Sequence, residues 1–394
     1  MNEAWASPSH KKIAIILGTR YPTEKAYGVT TAYSAKEASS LGYQVSIISP
    51  ETILNQANEV FTTRAQLVNL RVFLGKFLQR AFNFNLFGFN RIAFWLHRSF
   101  FIKSVLKFLY TQNFGILWVR DLVIAKELIK MYPKSKLILE LHGPISKIDF
   151  SLLVSLTMNE NLILAPINPS AFHRLQELGL TNNTVYSPMG VDLDRFSDTS
   201  PRILQKTEKR TILYLGKFTS LGKSNGLEVL ISAAKLSQEK RLDLQIKLVG
   251  GTDIDVHRLK QFAAKLNISQ EFLEITGAIN FDSVGNLQSE ADCLVIPYPT
   301  IPQFESFFPI KLFEYAASRR PVICSDSKYL RNIVLEDCVT FFQEGNGQSL
   351  VDAITTVLDP INASLIRSKI EKFASLSSEF TWKERTRKIL NQKN

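Results

Sequence analysis

The chain has 394 residues, 45% of them hydrophobic and 21% charged, with a formal net charge of +11. Those values are those of a soluble globular protein, and the length exceeds one ordinary core, so two domains are expected. No run of about 18 uninterrupted apolar residues occurs, which excludes a membrane-spanning helix, and the polar first ten residues lack a secretion signal.

Residues 12–18 (Lys-Ile-Ala-Ile-Ile-Leu-Gly) read as a buried first strand. A loop to Gly28 and a helix to about Leu41 follow. Gly42-Tyr43-Gln44 turns the chain into a second strand at 45–49. This β-α-β start carries no G-x-G-x-x-G fingerprint, so a dinucleotide cofactor is not expected. From Val60 to Arg120 there is no Asp or Glu. Arg64, Arg71, Lys76, Arg80, Arg91, Arg98, Lys103 and Lys107 alternate there with Phe and Trp residues at near-helical spacing. Two or three helices are expected, with a basic aromatic face suited to anionic lipid; solvated basic faces on ordinary core helices fit the same pattern. No nucleic-acid-binding motif accompanies the charge.

A strand at 115–119 leads to Arg120-Asp121, where Asp121 is placed to cap a helix running to about Tyr132. The next strand, 136–141, delivers Glu140-Leu141-His142-Gly143 at its C-terminal end, the end at which open α/β sheets place ligands. A strand at 162–165 and a helix at 169–178 precede Val185-Tyr186-Ser187-Pro188-Met189-Gly190-Val191-Asp192-Leu193-Asp194-Arg195-Phe196. Residues 197–210 are polar and read as a linker.

A second α/β domain opens with Thr211-Ile212-Leu213-Tyr214-Leu215-Gly216-Lys217. Lys223, in Gly222-Lys223-Ser224-Asn225-Gly226, precedes a helix from Leu227. Two lysines beside a strand end and a helix N-terminus suit a phosphate, and two of the chain's 47 basic residues in a solvated loop fit the same pattern. Strands are expected at 244–249, 273–278 and 293–297, and a helix at 283–290. Next comes Ser306-Phe307-Phe308-Pro309-Ile310-Lys311-Leu312-Phe313-Glu314-Tyr315-Ala316-Ala317, then Ser318-Arg319-Arg320-Pro321-Val322-Ile323-Cys324. Pro309 suits the first turn of a helix, Ser306 can cap it, and Leu312, Phe313, Ala316 and Ala317 form its apolar face. Pro321 stops it before a short buried strand. Glu314 sits about one turn in, where a carboxylate can accept two hydrogen bonds from a vicinal diol or pair with Lys311. Helices at 346–358 and from 380 to about 390 end the chain. Cys293, Cys324 and Cys338 sit singly among apolar residues, as reduced thiols of a cytoplasmic protein do.

The stretch around Glu314, the strand-loop signature ending at Phe196, the Lys217 and Lys223 arrangement and the Glu-x-His strand end together resemble glycosyltransferase family 4, which has the GT-B fold. The resemblance implies that Ser306, Phe307, Phe308, Pro309 and Ile310 hold a nucleotide diphosphate and that Glu314 takes the ribose hydroxyls. It implies that Gly216, Lys217 and Lys223 bind the diphosphate, that backbone from Gly277 to Ile279 meets the base, and that His142 faces the donor sugar across a cleft. Gly28 and Arg120 match positions on the acceptor side. Three departures stand out. Ser306 occupies the first Glu position of the family's Glu, seven residues, Glu pattern, with Glu305 one place off. Met189 replaces the usual Asn before Gly-Val-Asp. Arg319-Arg320-Pro321 stands for Gly-Lys-Pro.

The expected fold is therefore α/β, two facing Rossmann-like domains at 1–198 and 199–376, with a helix at 377–394 crossing back onto the first. The expected function is metal-independent, retaining transfer of a sugar from a nucleotide-diphosphate sugar to a glycan or lipid-linked acceptor in polysaccharide or lipopolysaccharide biosynthesis. No cofactor beyond that co-substrate is expected, no nucleic acid is bound, and the chain is expected in the cytoplasm, peripheral on the inner face of the membrane. A nucleotide-sugar epimerase and a non-catalytic membrane-binding protein on a decayed transferase scaffold fit the same residues.

Overall fold

The computed structural model describes residues 9–23, 26–51, 65–72, 89–142, 147–196, 209–220, 222–280, 283–301 and 310–392. The chain divides into two compact units, one of Met1–Met189 with Trp382–Asn394 and the other of Gly190–Thr381.

The first unit is built on β1 (Ser9–Ile16), β2 (Gln44–Pro50), β3 (Gln66–Leu70), β4 (Phe114–Val119), β5 (Lys136–Leu141) and β6 (Leu162–Pro166). They form one sheet in the order β3-β2-β1-β4-β5-β6, with every pair parallel. Its helices are α1 (Ala26–Ser40), α2 (Phe89–Tyr110), α3 (Leu122–Met131), α4 (Lys147–Leu156) and α5 (Pro169–Glu177). The last helix of the chain, here α13 (Trp382–Asn391), joins this unit. Side chains alternate between the two faces of a strand, and both faces here are covered, which is why the strands read as near-continuous apolar runs. Ala14, Ile16, Leu117, Val119, Leu137 and Leu139 pack against Phe101, Val105, Ile124, Leu128 and Leu153 on one face. Ile13, Ile15, Ile116, Trp118 and Ile138 pack against Ala35, Ala38, Ile389 and Leu390 on the other.

Local chemistry fixes the helix ends. Asp121 Oδ1 accepts from the Val123 and Ile124 N–H groups at 2.8 and 3.1 Å, the cap expected from sequence. Asn168 caps α5 through the Ala171 N–H at 2.7 Å, with Pro169 in the first turn. Lys136 Nζ donates to the carbonyls of Leu390 and Gln392 at 2.8 and 2.7 Å, closing the C-terminal end of α13 with a cation. Trp382 lies flat on Tyr33 of α1, ring centroids 5.0 Å apart.

The acid-free stretch is not all helical. β3 pairs with β2 as an edge strand. Its apolar run is broken by Gln66 and Asn69, which hides the strand from a periodicity reading, and Asn69 Oδ1 accepts from Ser49 Oγ at 2.9 Å. Residues 73–88 lie outside the described residues. α2 buries Ala93, His97, Phe101, Val105 and Leu109, four residues apart, and exposes Ile92, Phe94 and Trp95. None of the described helices is by itself long and apolar enough to cross a membrane.

The second unit repeats the topology. Its strands are β7 (Arg210–Leu215), β8 (Thr219–Ser220), β9 (Lys223–Ser224), β10 (Leu244–Gly251), β11 (Leu273–Gly277), β12 (Cys293–Ile296), β13 (Val322–Ser325) and β14 (Thr340–Phe342). Six form a parallel sheet in the order β11-β10-β7-β12-β13-β14, while β8 and β9 make a small hairpin. The helices are α6 (Leu227–Glu239), α7 (Asp253–Lys265), α8 (Val284–Glu290), α9 (Ile310–Ala317), α10 (Lys328–Arg331), α11 (Gly347–Leu358) and α12 (Ala363–Ser377). The α7 and α12 segments carry no reading from the sequence above. In both units the strand order reverses beside the first strand, between β1 and β4 and between β7 and β12, and open α/β sheets bind ligands at the C-terminal strand ends beside such a reversal.

Replacing Trp382 by alanine removes the stacked ring that anchors α13. We expect a loss of about 3–5 kcal/mol in urea denaturation. An unchanged midpoint would mean that α13 contributes nothing to the first unit.

Candidate functional site

In the first unit the polar groups converge at the ends of β4 and β5. Register pairs Val119 with Leu139, so the next residues, Arg120 and Glu140, stand side by side. Arg120 Nε donates to Glu140 Oε2 at 2.6 Å, and Arg120 Nη1 donates to the Tyr27 carbonyl at 2.9 Å. His142 Nε2 lies 2.9 Å from the same Oε2. Arg385 of α13 reaches Glu140 Oε1 with Nη2, the Ser187 carbonyl with Nε and Ser34 Oγ with Nη1. Glu140 is fully buried. Burial alone would raise its pKa, but the two guanidiniums and the His142 hydrogen bond overcome that and hold the carboxyl well below its usual range. His142 is lowered by burial first and by the nearby Arg120 charge second, so the ring is neutral at pH 7.

In the second unit the strand ends crowd together through glycines. Gly216 follows β7 with φ +150, and a Cβ there would collide with the Lys311 ammonium. Gly226 has φ +87, and a Cβ there would strike the Pro297 carbonyl after β12. Lys311 Nζ donates to the Leu215 carbonyl and lies 5.3 and 5.8 Å from the Tyr214 and Tyr315 ring centroids. The Leu215 N–H donates to Tyr315 Oη at 2.9 Å. These contacts fasten α9 to the end of β7. The Lys217 carbonyl accepts from Tyr214 Oη at 2.5 Å and from Asn225 Nδ2 at 2.7 Å, which ties the Gly216-Lys217 turn to the start of α6.

Lys217 and Lys223 are exposed, and neither has a carboxylate partner among the described residues. The N-cap of α6 is Gly226, which offers no side-chain cap. A helix start without a side-chain cap and two ammonium groups without a carboxylate partner among the described residues suit an anion, with Glu228 as the one acidic residue of that first turn. Glu314 sits on α9, and its carboxylate is 3.9 Å from Arg195, not paired to Lys311. No three His, Cys, Asp or Glu side chains among the described residues are grouped to hold a metal ion.

The structure thus gathers Arg120 and His142 at one strand-end cluster, and Gly216, Lys217, Lys223 and Glu314 on the elements at the end of β7. Gly28 is buried, and a Cβ there would strike the Thr23 carbonyl, so a close backbone approach accounts for it. A Cβ at Gly277 would sit in ordinary contact, 3.6 Å from the Gly251 carbonyl oxygen, and Ile279 is exposed. Ile310 begins α9, while Ser306, Phe307, Phe308 and Pro309 lie outside the described residues. Met189 is buried and accepts the Thr30 hydroxyl on Sδ at 3.4 Å. Arg319 adopts the left-handed conformation, φ 53, that a glycine would take more cheaply. Glu140, Arg385 and Arg195 have no role readable from sequence alone, and Lys311 enters there only as a partner for Glu314. Arg385 had a signal: it falls on the buried face of α13 with Trp382, Thr386 and Ile389, where a charged residue needs a partner.

Burial pushes the Lys311 ammonium down to about 8, against the opposing pull of Glu314. An unfolded lysine titrates near 10.4. Between those values the unfolded chain binds more protons, so this group's contribution to stability rises with pH and its cost is full below pH 8. Lys311→Met should therefore gain most over wild type at pH 7.5, with the gain shrinking toward pH 10. A gain that grows with pH in denaturation curves would contradict the inward placement of this ammonium.

Residues 209–360 match the family described as Glycosyl transferases group 1. No curated protein matches the chain. Among solved structures, a glycosyltransferase from Rickettsia africae is 17% identical with a TM-score of 0.71, covering 96% of each chain. Sucrose-phosphate synthase from Thermosynechococcus elongatus is 15% identical with a TM-score of 0.68, covering 95% of this chain and 96% of its own. HepE of Anabaena, solved in complex with UDP and glucose, is 14% identical with a TM-score of 0.65, covering 96% and 98%. At these identities the likeness establishes the fold: two Rossmann-like units of the GT-B type, with the final helix returning to the first.

Proposed function

We propose that the protein is a glycosyltransferase of the family 4 type that moves a hexose from a nucleotide-diphosphate sugar to an acceptor hydroxyl with retention of anomeric configuration. The observation that carries the reading is that the matched segment, 209–360, contains Lys217, Lys223 and Glu314 on elements that meet at the end of β7. Similar folds solved with UDP and glucose support a nucleotide sugar as the donor.

In this reading Lys217, Lys223 and the uncapped start of α6 hold the diphosphate, and Glu314 accepts hydrogen bonds from the ribose diol. Breaking the bond between the anomeric carbon and the phosphate oxygen develops negative charge on the leaving diphosphate. Fixed cations aimed at that charge are usually the largest catalytic contribution. The acceptor oxygen forms the new bond to the anomeric carbon from the same face, and its proton passes to the departing phosphate oxygen. The step needs neither a metal nor a protein carboxylate pair. His142 hydrogen-bonds the carbohydrate, and Arg120 belongs to the acceptor side. Gly277, Ile279 and the segment from Ser306 to Ile310 complete the donor contacts. The acid-free basic stretch supports a lipid-linked glycan acceptor and a peripheral place on the cytoplasmic membrane face, in surface polysaccharide assembly.

The test is thermal unfolding of the purified protein with UDP, GDP, ADP, CMP and dTDP in turn. A nucleotide present at 100 times its Kd should add about 2.7 kcal/mol and raise Tm. A charged hydrogen bond contributes about 1.5–3 kcal/mol, so Glu314→Ala should weaken that nucleotide tenfold to a hundredfold. Absence of a shift with all five, or an unaltered Kd in the folded variant, would sink the donor-site assignment.

A further inference from the structure

The Glu140 cluster settles which proton His142 carries. A carboxylate between two guanidiniums is ionised and has no hydrogen to donate, so the hydrogen in the 2.9 Å contact belongs to the imidazole Nε2. The carboxylate cannot turn away to release it. Its Oε2 also takes Arg120 Nε, and its Oε1 takes Arg385 Nη2. Each arginine is anchored in turn: Arg120 by the Tyr27 carbonyl, Arg385 by the Ser187 carbonyl and Ser34 Oγ. Among the described residues, Arg120, Glu140 and Arg385 are the charged groups that act on the ring. His142 is also the most accessible member, its side chain 29% exposed against 0% for Glu140 and 2% for Arg385.

We propose that Glu140, clamped by Arg120 and Arg385, fixes His142 as the Nε2-protonated imidazole, so that the ring meets its ligand through Nδ1 as a hydrogen-bond acceptor. Such a ring recognises a group that can donate, a hydroxyl above all. It offers no N–H to a phosphate or carbonyl oxygen. Arg385, which comes from α13 at the far end of the chain, is then a positioning residue acting on His142 through Glu140. That the hydroxyl belongs to a carbohydrate rests on the function proposed above; the tautomer does not.

The experiment is a long-range proton–nitrogen correlation spectrum of the full chain labelled with 15N-histidine at pH 7.5. His142 is assigned among the five histidines by its loss in His142→Asn. The expected spectrum has a protonated Nε2 and a bare Nδ1 with widely separated nitrogen shifts. In Glu140→Gln one acceptor atom replaces two, and the two shifts should collapse toward an average. Arg385→Lys keeps the cation and should keep the wild-type pattern, while Arg385→Met should move toward the averaged one. Where a variant at these buried positions does not fold, the wild-type spectrum decides: an Nδ1-protonated or averaged ring overturns the proposal. A wild-type pattern retained in folded Glu140→Gln overturns the part assigned to Glu140. The measurement uses no nucleotide or carbohydrate. A protein that binds no nucleotide but carries this tautomer refutes the donor site and leaves this inference standing.

Discussion

A carboxylate with no access to water is the constraint on which the first unit turns. Removing Glu140 from solvent is tolerable only because two guanidiniums and an imidazole replace the lost hydration. The requirement reaches far along the chain. Arg120 must follow β4 in register with β5, the first turn of α1 must present the Tyr27 carbonyl, and α13 must dock so that Arg385 can enter. The stacking of Trp382 on Tyr33 and the Lys136 contacts at the other end of α13 hold that helix at the right depth. Removing any one partner would leave an uncompensated buried charge, which costs far more than an exposed ion pair contributes.

The second unit solves the opposite problem. It keeps cations bare where the first unit neutralises them. Gly216 and Gly226 let backbones and a lysine stem approach to distances no side chain would permit, which brings the ends of β7 and β12, the start of α6 and α9 onto one another. Lys311 is spent on that assembly, its ammonium tied to the Leu215 carbonyl. Lys217 and Lys223 are left outward, and the first turn of α6 lacks a side-chain cap. Structural and solvent-facing lysines are thus separated by where their ammonium groups end, not by sequence context.

Much of this was legible in the sequence, for physical reasons. Parallel strands buried on both faces leave long apolar runs, so β1, β4, β5, β7 and β12 stand out, and the caps at Asp121 and the glycine turns mark where they end. β3 did not, because an edge strand needs no apolar face on both sides and Gln66 and Asn69 interrupt its pattern. Of the site, the residues at strand ends, His142 and Lys217, could be found from local context. Arg385 lies 245 positions from Glu140 and Lys311 lies 96 from Leu215. No local pattern reports such pairings; only the fold brings them together. The departure at Met189 also became intelligible only in three dimensions, as a buried thioether taking the Thr30 hydroxyl.

The first unit is discontinuous in the chain: its last helix follows the whole of the second unit. Val191 and Thr381, at the two ends of that second unit, are bridged to each other, with the Val191 N–H donating to the Phe380 carbonyl at 2.7 Å. During synthesis, then, the second unit is contiguous and can close as soon as it leaves the ribosome, whereas the first must wait with its Glu140 charge half neutralised until Arg385 emerges. The N-terminal half of the molecule is made first and finished last.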